Sequence, residues 1–147
     1  MSASDGPYAI TGPMSPALDG VLARWRELLR GGAEMPFWDD LDLATFRACC
    51  PGVFLLDVFE KPQRFRLALA EVGLSQDAQD HVLGRFIDEV DLPAPFEMLR
   101  SQCCATAELA APTLYRHGGA QGGYARLVLP AWGEGQIHML LGAVDAQ

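Results

Sequence analysis

Val53-Phe-Leu-Leu-Asp-Val-Phe-Glu60, Lys61-Pro-Gln63 and Arg64-Phe-Arg-Leu-Ala-Leu-Ala70 read in order as strand, short connection and strand. Two β-rich runs joined by three residues that include a proline predict an antiparallel hairpin. Phe65, Leu67 and Leu69 alternate with Arg64 and Arg66, so the second strand is expected to carry one apolar and one polar face. In the first strand Phe54, Leu56 and Val58 share the inward face, and Asp57 points outward to meet Arg66 across the pair. Three further strands are expected at 113–117, 124–132 and 136–145. The glycine-rich stretches 118–123 and 133–135 separate them, and both suit hairpin connections.

Residues 71–110, between these two strand groups, read as short, broken helical pieces. Ser75 or Asp77 caps a segment that leads to Leu83-Gly84, with Phe86, Ile87 and Val90 after it. Pro93 and Pro95 interrupt before a longer helix from Phe96 to Ala110, whose stripe is Phe96, Leu99, Cys103 and Ala107; Pro112 closes the region. Upstream, Ser15 is an N-cap and Pro16 takes the first helical position, where its missing N–H costs nothing. Leu18, Val21, Leu22, Trp25, Leu28 and Leu29 then form one apolar stripe opposite Arg24, Arg26, Glu27 and Arg30, and Gly31-Gly32 ends the helix. Asp42 is expected to cap a short helix through Cys49, its apolar face Leu43, Phe46 and Cys50, stopped by Pro51-Gly52.

Residues 1–14, rich in Ser, Gly, Pro and Ala, are expected to form a flexible leader. The chain thus divides into a leader (1–14), an amphipathic helix (15–32) and a folded domain (36–147). The class is α+β: a five-stranded antiparallel sheet with short helices on one face. The leading helix either covers the other face or pairs with its twin about a two-fold axis. A homodimer through Leu18, Val21, Leu22, Trp25, Leu28 and Leu29 is the expectation, because two-fold pairs are the commonest oligomers.

The 147 residues give room for one core. Nineteen acidic residues against eleven basic ones leave a charge of −8, which repels phosphate backbones and anionic lipid and argues against nucleic-acid and membrane-surface roles. Ten of the eleven basic residues are Arg and Lys61 is the remaining one, so there is no Lys-rich tract. No secretory signal opens the chain and no apolar run is long enough to span a bilayer, so a cytoplasmic location is expected. The adjacent pairs Cys49-Cys50 and Cys103-Cys104 lack zinc-ligand spacing and read as free, mostly buried thiols, with a metal or redox role as the alternative.

Two strands, a run of short helices and three C-terminal strands is the order of a PAS domain. The stretches Leu22-Ala-Arg-Trp25, Pro36, Leu41-Asp-Leu-Ala-Thr-Phe46, Pro51-Gly-Val-Phe-Leu-Leu-Asp-Val58 and Arg64-Phe-Arg-Leu67 carry a closer match. So do Leu83-Gly-Arg-Phe86, Tyr124-Ala-Arg-Leu-Val-Leu-Pro130 and Met139-Leu-Leu-Gly-Ala143. In that order the chain resembles bacterial proteins built of one small PAS-like domain (PAS family 5), over roughly residues 18–145. It departs from that pattern at Leu67-Ala-Leu-Ala-Glu71, at Val72-Gly-Leu74 and at Ala131. The resemblance implies a non-enzymatic sensory or protein-interaction domain of bacterial signalling that acts through dimerisation and docking on a signalling partner. It leaves no stretch of this sequence for an output module. The alternative it implies is a metabolite- or haem-binding sensor with a cleft between sheet and helices.

Nine apolar residues are candidates to line such a cleft: Phe54, Leu56, Phe65, Leu67, Phe86, Leu127, Leu129, Met139 and Leu141. The plainer reading makes them the core itself. No cofactor is expected. The flavin photoreceptor's Asn-Cys-Arg stretch is missing, and His81 beside Asp80 reads as a solvated helix residue rather than a haem ligand. The acids Asp77, Asp80, Asp88, Glu89 and Asp91 read as a solvated face, and Asp39, Asp40 and Asp42 as turn and cap residues. No nucleophile elbow occurs, and 118–123 lacks the Lys-Ser/Thr of a phosphate loop, so no catalytic or metal-binding residue is assigned.

Overall fold

The hairpin forms in the computed structural model, which describes residues 7–71, 75–118 and 123–146. Strand β1 (Val53–Phe59) pairs antiparallel with β2 (Arg64–Glu71), and Asp57 stands opposite Arg66, whose Nη2 donates to its Oδ2 at 3.1 Å. One detail of β2 departs from the expected alternation. Leu56 pairs with Leu67 but Leu55 pairs with Leu69, so Ala68 is an extra residue, a β-bulge. Past the bulge the faces exchange: Ala70 joins Phe65 and Leu67 in the core, and Leu69 is left half-buried outside it.

Strands β3 (Thr113–His117), β4 (Tyr124–Gly133) and β5 (Gln136–Ala146) complete one antiparallel sheet in the order β2-β1-β5-β4-β3, which fits a PAS-like topology. The connection between β3 and β4 lies partly at 119–122, outside the described residues. Helix α1 (Pro16–Glu27) starts as expected, with Leu18 N–H donating to the Ser15 Oγ at 3.3 Å. It ends at Glu27 rather than near Gly31, because Leu28 and Leu29 bond to Trp25 and Arg26 three residues back and tighten the last turn. A 3-10 turn (Trp38–Asp40), α2 (Leu43–Cys49, capped by Asp42), α3 (Gln76–Val82, capped by Ser75) and α4 (Leu99–Leu109) come after it. The stretch 72–74 lies outside the described residues.

Helix α4 begins three residues later than the stripe from Phe96 suggests. Met98 holds a left-handed φ of 60° and Phe96 N–H turns back to Pro93 O, so the chain makes two turns before becoming helical. Phe96 still reaches the core, edge-on to Phe54.

Helices bury the sheet on both sides. On one face Leu18, Val21, Leu22 and Trp25 of α1 pack with Phe46, Leu127, Leu129 and Leu141. Trp25 Nε1 donates to Pro130 O at 2.9 Å. On the other face Val82, Ile87, Phe96, Leu99 and Cys103 pack with Phe54, Leu56, Phe65, Leu67, Val128 and Leu140. Thus α1 covers the open face of its own sheet. Leu18, Val21, Leu22 and Trp25, expected at a two-fold interface, are at most 6% exposed within the single chain. Leu28 and Leu29 lean on the same cluster.

Both sheet edges are covered. Residues 84–87 run beside β2, exchanging backbone bonds with Phe65 and Leu67. Along β3, Leu114 N–H donates to Tyr8 O, and Arg116 reaches Thr11 O and Pro13 O. Of the expected flexible leader, residues 7–14 are therefore packed: Tyr8 is buried and donates its hydroxyl to the Ser101 Oγ on α4 at 2.6 Å. Residues 1–6 lie outside the described residues.

Candidate functional site

The nine apolar candidates do not line one cleft. Phe54, Leu56, Phe65 and Leu67 face α4, whereas Leu127, Leu129 and Leu141 face α1. Met139, half-buried two residues before Leu141, takes that strand's α1 side. Phe86 lies beyond the sheet edge, its ring under the Arg64 guanidinium at 3.8 Å and edge-on to Phe59. Strands apolar on both faces carry no signal of which parity faces which side, so sequence pattern alone groups residues from opposite faces.

The α4 face holds instead a polar cluster centred on Arg126. In β4 this side chain projects on the same side as Val128, between helix α4 and strand β3, and is fully buried. Its Nε donates to the Gln102 Oε1 at 2.7 Å and its Nη1 to Pro95 O at 2.8 Å. The guanidinium carbon sits 4.7 Å from the Tyr115 ring centre. Gln102 donates its own amide to the Thr113 Oγ1 at 3.1 Å and to the Arg126 carbonyl at 3.0 Å. Thr106 and Thr113 share a 2.7 Å hydroxyl contact, and the Thr106 hydroxyl donates to Gln102 O at 2.9 Å.

Every polar side chain in this cluster is satisfied except one atom. The Arg126 Nη2 is buried and has no hydrogen-bond partner. Among the described residues no carboxylate comes within 4.0 Å of the guanidinium either. Burial pulls the guanidinium down from its ordinary value, with Tyr124, Cys103, Tyr115 and Glu97 opposing that pull. An arginine stays protonated regardless, so the interior holds a cation without a counter-ion.

Glu97, in the turn before α4, is the carboxylate whose charge acts on it. Its carboxylate accepts a short hydrogen bond from the Tyr124 hydroxyl. Burial pushes the Glu97 carboxyl up, but the bond from Tyr124, its own backbone, His117 and Arg126 together outweigh that and hold it below its ordinary value. Tyr124 is pushed well up, by burial first and by Glu97 second. Its ring stacks on His117 at 5.0 Å. Outside this layer, Glu97, Val90, Leu92, Phe96 and Ser101 line a groove of about 570 Å³.

The remaining sequence expectations find plain places. Asp88 and Glu89 pair with Arg64, whose bond holds the Asp88 carboxyl below its usual value. His81 is exposed on α3. The four cysteines are free thiols: Cys50 and Cys103 are buried and Cys49 and Cys104 half-buried, and burial pushes both buried thiols up. No group of three or more His, Cys, Asp or Glu side chains placed to hold a metal occurs among the described residues. No described helix is long and apolar enough to cross a membrane. A second concavity, about 390 Å³, runs between Arg30, Met35, Pro36, Phe37 and the exposed Trp132.

Sequence pattern does not reveal the Arg126 cluster, because Tyr124-Ala-Arg-Leu-Val-Leu-Pro130 reads as an ordinary strand with one outward charge. The available signal is a single charge inside a run otherwise apolar on both parities. Compared with known proteins, the chain matches no family model, no curated protein and no solved structure.

Proposed function

We propose that this chain is a non-enzymatic, PAS-like sensory domain of bacterial signalling, which detects a small molecule on the α4 face of its sheet. It hands the signal to a partner signalling protein. One observation carries the reading: a fully buried arginine lacks both a counter-ion and a partner for one nitrogen, in the layer between sheet and helices. An unpaired buried charge costs several kcal/mol, so a domain optimised for stability alone replaces it. A side chain kept at that cost fits a site that a ligand completes.

The expected docking by pairing of the α1 stripe loses its basis in this reading, since those side chains already serve the chain's own core. Signal output then falls to a change in the α4 layer itself. Native mass spectrometry and absorbance of the purified protein, followed by a thermal-shift screen of metabolites, test the proposal. A bound species or a stabilising metabolite supports it. A protein that purifies empty and that no metabolite stabilises overturns it.

A further inference from the structure

Resting on the sensor reading, we infer that the ligand is a small monocarboxylate, whose carboxylate pairs with the Arg126 Nη2 and whose apolar part occupies the groove beside α4. The nitrogen count sets the head group. Nε and one N–H of Nη1 are committed to the Gln102 Oε1 and Pro95 O, and Nη2, with both its N–H bonds unpaired, is the nitrogen left without a partner for an incoming oxygen acceptor. A carboxylate supplies both the acceptor and the missing negative charge.

The surroundings select a single charge. The side chains bonded to or stacked on the guanidinium, Gln102 and Tyr115, are neutral. Glu97, the acid that acts on it from the bordering turn, has its carboxylate bonded to Tyr124 and lies outside ion-pair distance, so the guanidinium has room to pair with one anion. A dianionic phosphate would bring a second charge into a layer that Glu97 borders, in a chain of net charge −8. The groove supplies the rest of the chemistry. Val90, Leu92, Phe96 and Leu99 give part of it apolar walls that suit a short hydrocarbon or aromatic tail, and Asp91, Glu97, Arg100 and Ser101 line the rest.

The turn from Pro95 to Met98 borders both the groove and the guanidinium. Pro95 O holds Nη1, Phe96 and Glu97 line the groove, and Met98 keeps a left-handed φ of 60° that a non-glycine residue adopts at a cost. Movement of this turn joins the groove to Nη2, so ligand entry and the conformational output are one event.

Titration of the protein with acetate, butyrate and benzoate tests this, with butyramide and inorganic phosphate as controls. Thermal melting and the ¹⁵N side-chain resonance of Arg126 are the readouts. At about a hundredfold excess over Kd, at least one carboxylate should raise Tm by about 5–10 °C and shift the Arg126 Nη signal. The amide and phosphate should do neither, and Arg126→Met should abolish the effect. Silence of all three carboxylates, an equal response to butyramide or to phosphate, or a response that survives Arg126→Met overturns the inference. The resonance is read on the unaltered protein and so does not depend on the variant folding. If native mass spectrometry shows a neutral bound metabolite while the carboxylates are silent, this inference falls and the sensor reading stands. If nothing binds at all, both fall.

Discussion

Arg126 lets the cost of a single side chain be weighed against what it holds. Its charge-assisted bonds to Gln102 and Pro95 O are each worth about 1.5–3 kcal/mol, and burying an unneutralised guanidinium costs several, so the two nearly offset each other. Arg126→Met, close in volume and neutral, removes that cost but also leaves the Gln102 Oε1 and Pro95 O without their donor, so stability in urea should change by less than about 2 kcal/mol. A loss of about 3–5 kcal/mol instead would mean that the charge is fully compensated in the fold and awaits nothing. Glu97 gives the pH counterpart. Its carboxyl lies below the ordinary value of 4.5 in the folded chain, so its contribution is complete above that value and is lost as pH falls through the lower, folded one. Acid titration of stability should be less steep below about pH 4.5 in Glu97→Gln than in the unaltered protein. Identical slopes would show that Tyr124 and Glu97 exchange no charge-dependent energy.

Local signals locate the helices well where a side chain caps them and poorly where the backbone alone ends them. Ser15, Asp42 and Ser75 each accept a backbone N–H at the start of α1, α2 and α3, and each is legible because those residue types do little else before an apolar stripe. Helix α4 has neither advantage. Met98 precedes it without a capping bond and Ala110 ends it at a left-handed φ of 51°, conformations that nothing in those residue types announces. The Ala68 bulge is hidden for the same reason: Leu67-Ala-Leu-Ala alternates cleanly on paper, and only pairing with β1 shows where a residue drops out of register. Ala110 offers a direct check of the backbone argument. Ala110→Gly should stabilise the protein by about 0.5–1 kcal/mol, because glycine takes the left-handed position at a helix end without the Cβ penalty. A destabilisation of the same size, measured by urea midpoint, would show that the chain-entropy cost of glycine outweighs the relieved strain.

The two cores belong to one sheet, and that sets how the chain comes apart. Strands β1, β5 and β4 send alternate side chains to opposite faces: Val53 toward α1 and Phe54 toward α4, Leu141 toward α1 and Leu140 toward α4, Leu127 toward α1 and Val128 toward α4. Removing the helices from either face would leave those strands with a bare apolar surface, so neither cluster survives alone. Close contacts couple the layers further. Phe54 lies so near Gly142, its partner across the β1–β5 ladder, that any Cβ there would collide with its ring, so this side chain of the α4 core requires a glycine in β5. The cysteines report both faces independently, since Cys50 is buried in the α1 cluster and Cys103 in the α4 cluster. A thiol reacts as its thiolate and only when exposed, so each is silent in the native fold. Thiol labelling across a urea series, read separately at Cys50 and Cys103 by peptide mass spectrometry, should give coincident midpoints that match the loss of circular dichroism. Earlier labelling of Cys103 than of Cys50 would show instead that the α4 layer opens on its own while the α1 core holds. The shared strands argue against such opening of the whole layer, and any movement of the Pro95–Met98 turn is limited by Phe96 packed on Phe54 of β1 and by Pro95 O bonded to Arg126 of β4.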